Sequence, residues 1–227
     1  MTIQDNLTQI QERIRQACLR SNRSVASVTL LAVSKYANDA AVQSVMELGL
    51  KRFGESRVQQ GVKRIETFPE AEWHLIGTLQ RNKVRHCGEF ALIHSLDRWS
   101  LALEINKRAE EWGRPQDVLV QVNVSGEESK HGLRPDEVSD FVEQVKVECP
   151  LENMRGLMMM APFVKPEETR PYFRETRALY NALQKRFQLS WDVLSMGMTN
   201  DFEVAIEEGA TLVRIGSALF AEEENNE

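Results

Sequence analysis

The chain has 227 residues, 42% of them hydrophobic, and a formal net charge of −6. That length and composition suit a globular protein with a sizeable core and exclude a disordered chain. The mild acidity argues against general attraction to nucleic acid or a membrane surface, and no apolar run approaches the ~20 residues that span a bilayer. The amino end, M-T-I-Q-D-N-L-T-Q-I, carries neither the basic nor the apolar stretch of a secretory signal. Cys18, Cys87 and Cys149 form no Cys-x-x-Cys pair and offer no zinc spacing. They are expected to be small structural side chains in a reduced, cytoplasmic protein.

Residues 3–20 place Ile3, Leu7, Ile10, Ile14 and Ala17 at alternating spacings of four and three, which predicts an amphipathic helix capped by Thr2 and Asp5. Residues 28–35, V-T-L-L-A-V-S-K, are an apolar, β-branched run that ends on a lysine. The run reads as a strand buried on both faces, as in a parallel sheet. Alternation puts Thr29, Leu31, Val33 and Lys35 on one face. A lysine closing an apolar row is poorly solvated, which favours the free, nucleophilic amine. The plainer alternative is a lysine that snorkels into water.

Asn38-Asp39 then opens a helix closed by Gly49, followed by a strand at 52–55 and a helix at 58–65. A strand at 73–76 stops at Gly77; a short helix covers 79–87 and a strand 90–94. Asp97 is expected to cap a helix ended by Gly113 and Pro115. Beyond it come a strand at 118–124, a polar loop at 125–135, a helix at 137–147, a strand at 154–159 and a long helix at 167–187. A strand at 191–194, a helix capped by Asn200 with Glu203, a strand at 211–215 and an acidic, frayed tail at 221–227 complete the chain.

Eight strands alternating with helices, without linker or composition shift, predict one domain over 1–227 built on a parallel sheet. Over this length the expectation is a closed (β/α)8 TIM barrel with an extra N-terminal helix. The rival open, doubly wound sheet lacks its glycine fingerprint after the first strand.

Active sites of such barrels lie at the carboxyl ends of the strands, and phosphates frequently bind after strands seven and eight. S-M-G-M-T at 195–199 and the Gly216-Ser217 turn occupy those places. Ser195, Thr199 and Ser217 offer hydroxyls, Gly197 and Gly216 let backbone N–H groups approach an anion, and Asn200 opens a helix amino end. On the last strand Val213 and Ile215 suit the helix layer, so Arg214 points into the barrel mouth. There it meets either an acid such as Glu55 or a ligand acceptor. An amine, a phosphate cup and an inward arginine together suit pyridoxal 5′-phosphate (PLP). Lys35 would form a Schiff base with its aldehyde, and Arg214 would face an unprotonated pyridine nitrogen. A neutral pyridine is the poorer electron sink, which suits holding the cofactor more than stabilising a carbanion.

Five motifs, A-V-S-K at 32–35, W-H-L-I-G-T-L-Q-R-N-K at 73–83, V-N-V-S-G-E-E-S-K-H-G at 122–132, S-M-G-M-T at 195–199 and V-R-I-G-S at 213–217, resemble the YggS/PROSC family of PLP homeostasis proteins. The resemblance runs from about Val28 to Phe220. It implies a barrel of the alanine racemase N-terminal type. Lys35 is then the aldimine lysine, Arg214 meets the pyridine nitrogen, and Ser195, Thr199, Gly216 and Ser217 surround the phosphate. It also implies a cytoplasmic, often monomeric protein without established catalysis that balances vitamin B6 and amino-acid and keto-acid pools, with PLP-dependent apoenzymes as candidate recipients. Ser56 stands where the family often has asparagine, and the proline that often follows the lysine is missing, which implies a looser loop around Tyr36.

The competing enzyme is a PLP-dependent amino-acid racemase, which needs a base on each face of the substrate carbon. The tyrosines are Tyr36, Tyr172 and Tyr180, the last two on a helix flank, and no second domain is expected. Arg81, Lys83, Arg85 and His86 form a basic patch too small for nucleic acid on an acidic chain. His74 reads as a satisfied core or barrel-mouth histidine, and Met158–Met160 as barrel filling. Lys130 and His131 sit where they could reach over the mouth or lie in solvent.

Overall fold

The computed structural model describes residues 2–127 and 131–221; Lys130 and the tail from 222 lie outside the described residues. Eight parallel strands among them close into a barrel in chain order. They are β1 (Thr29–Val33), β2 (Arg52–Glu55), β3 (Glu72–Leu75), β4 (Leu92–Leu96), β5 (Gln116–Val122), β6 (Glu152–Met159), β7 (Val193–Ser195) and β8 (Leu212–Ile215). The ring closes where β1 pairs with β8, with Leu31 beside Arg214 and Ala32 beside Ile215. Side chains pointing outward pack under the helices α1 (Ile3–Arg20), α2 (Asp39–Glu47), α3 (Val58–Thr67), α4 (Trp99–Trp112), α5 (Pro135–Glu148), α6 (Arg170–Phe187), α7 (Phe202–Glu207) and α8 (Ser217–Phe220). Inward-pointing Leu92, Leu119 and Met158 form a smaller core inside the ring, with Met160 and Val193 against it.

The helix α1 is the expected extra element. Thr2 and Asp5 make a full capping box, satisfying two amino-end donors reciprocally. Leu7, Ile10, Ile14 and Ala17 bury the apolar stripe, and the Asn6 amide donates to the carbonyls of Leu219 and Ala221, tying the two ends of the barrel chain together.

Several local expectations change. The 79–87 helix is a 3₁₀ turn over Arg81–His86, and the next strand starts two residues later than its composition implies. Asp97 does not cap α4: its carboxylate pairs with the guanidinium of Arg98, a charged donor that outcompetes the amide N–H groups. Asn200 does not open α7. Asp201 holds the cap position and turns its carboxylate back to the Met198 N–H at 2.6 Å. The short α8 was not foreseen. The three cysteines are buried and unpaired, and burial pushes the thiols of Cys87 and Cys149 up to about 12, as inert structural thiols require. No helix among the described residues is long and apolar enough to cross a membrane.

Glu152 opens β6 opposite Gln116, and both its carboxylate oxygens are buried without a hydrogen-bond partner. Burial raises its pKa from 4.5 to about 9. A raised carboxyl contributes stability that is intact below the unfolded value and is lost as pH climbs from about 4.5 towards 9, because unfolding then releases a proton. Glu152→Gln is therefore expected to flatten the fall in stability over that window and to add about 2 kcal/mol near pH 8, read by urea unfolding at a series of pH values. Unchanged pH dependence would refute the buried neutral acid.

Candidate functional site

A cavity of about 900 Å³ opens at the carboxyl ends of the strands. Its walls come from the segments after β1, β2, β3, β6, β7 and β8, and Val33, Gln121 and Arg214 reach it from the strands themselves.

Lys35 lies two residues past the end of β1 and is exposed, with its ammonium 4.9 Å from the centre of the Tyr36 ring. The strand stops at Val33, so the apolar row does not enclose the lysine. Its backbone is held from behind by α3. Gln60 donates to the Lys35 carbonyl at 3.2 Å, and Arg64 donates to the Ala37 carbonyl and pairs with Asp39. Ser34 donates to Glu55 at 2.6 Å. Glu55 is thus on the helix side of the sheet, with Arg64 Nε 3.8 Å away, and does not meet Arg214. Alternation explains this: Phe53 faces the helix layer, so Gly54 faces inward and Glu55 outward again. Burial raises the Glu55 pKa against the opposing pull of Ser34 and Arg64.

Arg214 is buried and aimed inward, as the alternation on β8 predicts. Its Nη1 donates to Ser195 Oγ at 2.6 Å and its Nη2 to the Met159 carbonyl at 2.8 Å. Burial lowers its pKa to about 10, with Asp201 opposing, so it stays cationic at neutral pH. Thr199, from the loop after β7, and Ser217, the first residue of α8, converge at the wall, where Ser217 donates to Thr199 Oγ1 at 3.1 Å. Gly216 lies beside them, and a Cβ there would come within 2.9 Å of the Val33 carbonyl oxygen.

Lys35, Thr199, Arg214, Gly216 and Ser217 therefore line one cavity, together with Ser56, Gly77 and Asn200. Ser195 and Gly197 lie behind that wall. Ser195 is on β7 itself, fully buried beneath Arg214. Gly197 has φ +93°, and its carbonyl accepts the Arg214 backbone N–H at 3.0 Å. A Cβ on it would come within 2.5 Å of Ala205 Cβ, so its glycine serves the packing of α7. Asn123 folds its own loop, accepting from Ser125 and the Gly126 N–H. His131 is exposed and offers its carbonyl to Gln121. His94, not singled out in the sequence, lies buried 3.2 Å from Ser195.

The chain matches the alanine racemase N-terminal domain family over residues 5–224. It is 46% identical over 222 residues to the pyridoxal phosphate homeostasis protein of Aquifex aeolicus, covering 96% of this chain and 97% of that one. With the protein of the same name from Escherichia coli it shares 38% identity over 226 residues, 96% of this chain and 95% of the other. The chain belongs to this family. Among solved structures, PipY of Synechococcus elongatus with PLP bound aligns at a TM-score of 0.81 and 36% identity, over 93% of this chain and all of PipY. An alanine racemase from Corynebacterium glutamicum, 15% identical with a TM-score of 0.71 over 97% of this chain and 62% of its own, shares the fold.

Gly197→Ala is expected to cost about 2–3 kcal/mol of unfolding free energy, through its left-handed backbone and the clash with α7. Chemical denaturation measures it; a loss below about 0.5 kcal/mol would show that the turn yields freely.

Proposed function

We propose that this family member holds PLP through Lys35 as a non-catalytic carrier in vitamin B6 homeostasis. The observation that carries the reading is the convergence of a primary amine, a buried donor-only guanidinium and two touching hydroxyls on one cavity. When bound, PLP supplies an aldehyde for the amine, an anionic phosphate and a pyridine nitrogen. Lys35 is exposed to the cavity and reachable by an incoming aldehyde, while Gln60 and Arg64 keep its backbone in place. Thr199, Gly216 and Ser217 suit the phosphate, combining hydroxyl donors with a backbone too close to Val33 for a side chain. Ser195 and Gly197 serve the same site from behind, by accepting from Arg214. The guanidinium can only donate, so it favours a pyridine nitrogen without a proton and weakens the electron sink that carbanion chemistry draws on. The names of the relatives support the homeostatic role, and three buried thiols suit a reduced cytoplasm. PLP-dependent apoenzymes are the candidate recipients if the cofactor is handed on instead of buffered.

A racemase is the second reading. Among the described residues Tyr36 is the tyrosine at the cavity, and its ring lies against the Lys35 ammonium, on the same loop instead of across from it. Tyr180 is buried against Trp191 on α6. Neither gives a base on the opposite face.

Titration with PLP is expected to produce the long-wavelength absorption of lysine-bound cofactor in the wild type and to lose it in Lys35→Ala. Thr199→Ala with Ser217→Ala is expected to weaken PLP about tenfold while leaving phosphate-free pyridoxal unaffected. Retention of the band in Lys35→Ala would overturn the assignment. Loss of optical rotation of L-amino acids, abolished by Lys35→Ala, would establish the racemase instead.

A further inference from the structure

Beneath the cavity, polar side chains run through the barrel in an unbroken line. Arg214 Nη1 donates to Ser195 Oγ at 2.6 Å, and Ser195 Oγ lies 3.2 Å from His94 Nδ1. His94 Nε2 lies 3.0 Å from His74 Nδ1, and His74 Nε2 lies 2.9 Å from Glu72 Oε1. Ser195, His94 and His74 are buried. Glu72 opens onto a second cleft, of about 460 Å³, at the amino ends of the strands. The charged groups there are Arg52, paired with Glu72 at 3.2 Å, and Asp117 and Asp192, both held by Arg155. At the mouth end the nearest acid acting on Arg214 is Asp201.

So long as both rings are neutral, the carboxylate end fixes the direction of every link, because a carboxylate only accepts, and the guanidinium at the other end only donates. With both rings neutral, Ser195 O–H donates to His94 Nδ1, His94 Nε2–H to His74 Nδ1, and His74 Nε2–H to Glu72. Each link then holds one hydrogen and all donors point towards Glu72, an arrangement in which successive bonds polarise one another. Burial, then His74 and Arg214, hold the His94 pKa well below its ordinary value, and the hydrogen bond from His74 leads in holding the Glu72 carboxyl at about 2. A proton added to His74 would reverse the line: His94 would donate from Nδ1 to Ser195 Oγ, which already accepts from Arg214.

We propose that Glu72, His74 and His94 are positioning residues for Arg214, fixing through Ser195 the plane and donor strength of the guanidinium at the pocket floor from the opposite end of the barrel. The PLP reading supplies only the ligand on which the effect is seen; the line of hydrogen bonds stands without it.

The chain has four histidines, so nitrogen-15 NMR of the cofactor-free protein can resolve each ring. The expected result is a neutral His94 protonated on Nε2 from about pH 6 to 8. Glu72→Ala is expected to weaken PLP about fivefold and to shift the absorption of the bound cofactor, with little change in the unfolding midpoint. Glu72→Gln, whose amide oxygen still accepts, should restore most of the affinity. Arg52→Ala, which removes only the surface ion pair, should move neither. Wild-type affinity and spectrum in Glu72→Ala, or a His94 protonated on Nδ1, would overturn the proposal. A wild type that fails to bind PLP would sink the carrier reading, and the ring tautomers would still decide the line.

Discussion

A guanidinium cannot stay buried unless its hydrogen bonds are met, and in this barrel they are met by neutral oxygens from different strands. Arg214 projects from β8, Ser195 accepts from β7 and the Met159 carbonyl from the end of β6, while the backbone N–H of Arg214 goes to Gly197. No carboxylate touches the head group directly among these partners. Its charge is held in place by these neutral oxygens, with Asp201 the acid that supports it, and it faces the cavity. The neighbouring strands β6, β7 and β8 assemble this set, and the ring then closes where β8 pairs with β1. The same closure brings the Lys35 loop, at the end of β1, to the mouth that Arg214 floors.

The two reactive groups are held by different means. Arg214 stands on a strand, locked by packing and by every bond it makes inward. Lys35 stands on a turn with its exposed ammonium beside the Tyr36 ring, and its backbone is fixed from outside the barrel by Gln60, Arg64 and the Ser34–Glu55 contact. The cavity thus combines a floor fixed by the strands with an amine carried on a loop.

Period and alternation made most of this legible. The Ile3, Leu7, Ile10, Ile14 pattern and the Thr2–Asp5 box located α1, and the apolar face of β8 sent Arg214 inward. Strand ends and caps are set by contacts that the pattern does not carry. Val33 ends β1, so Lys35 is exposed; Ser195 ends β7 and is consequently core instead of loop. Alternation applied to β2 would have placed Glu55 with Phe53 on the helix side, because an inward Gly54 separates them. Asp97 and Asn200 failed as caps because Arg98 and Asp201 compete at short range, a choice between adjacent side chains that no periodicity encodes. His94 escaped notice because it looks like one polar residue in an apolar strand. Its meaning comes from His74 on the neighbouring strand and Ser195 across the ring, contacts that only closure creates.

The interior of such a barrel is ordinarily filled by branched apolar side chains in layers. Here Leu92, Leu119 and Met158 fill one part in that way, and His74, His94, Ser195 and Arg214 fill another. Polar filling of this kind is stable only when every member is paired, since a half-satisfied buried network is worse than hydrocarbon. Each ring nitrogen and the serine hydroxyl has its partner, and the line ends on the Glu72 carboxylate, at the cleft by the amino ends of the strands. The side chains along it cannot be exchanged for leucines one residue at a time without leaving a buried donor or acceptor alone.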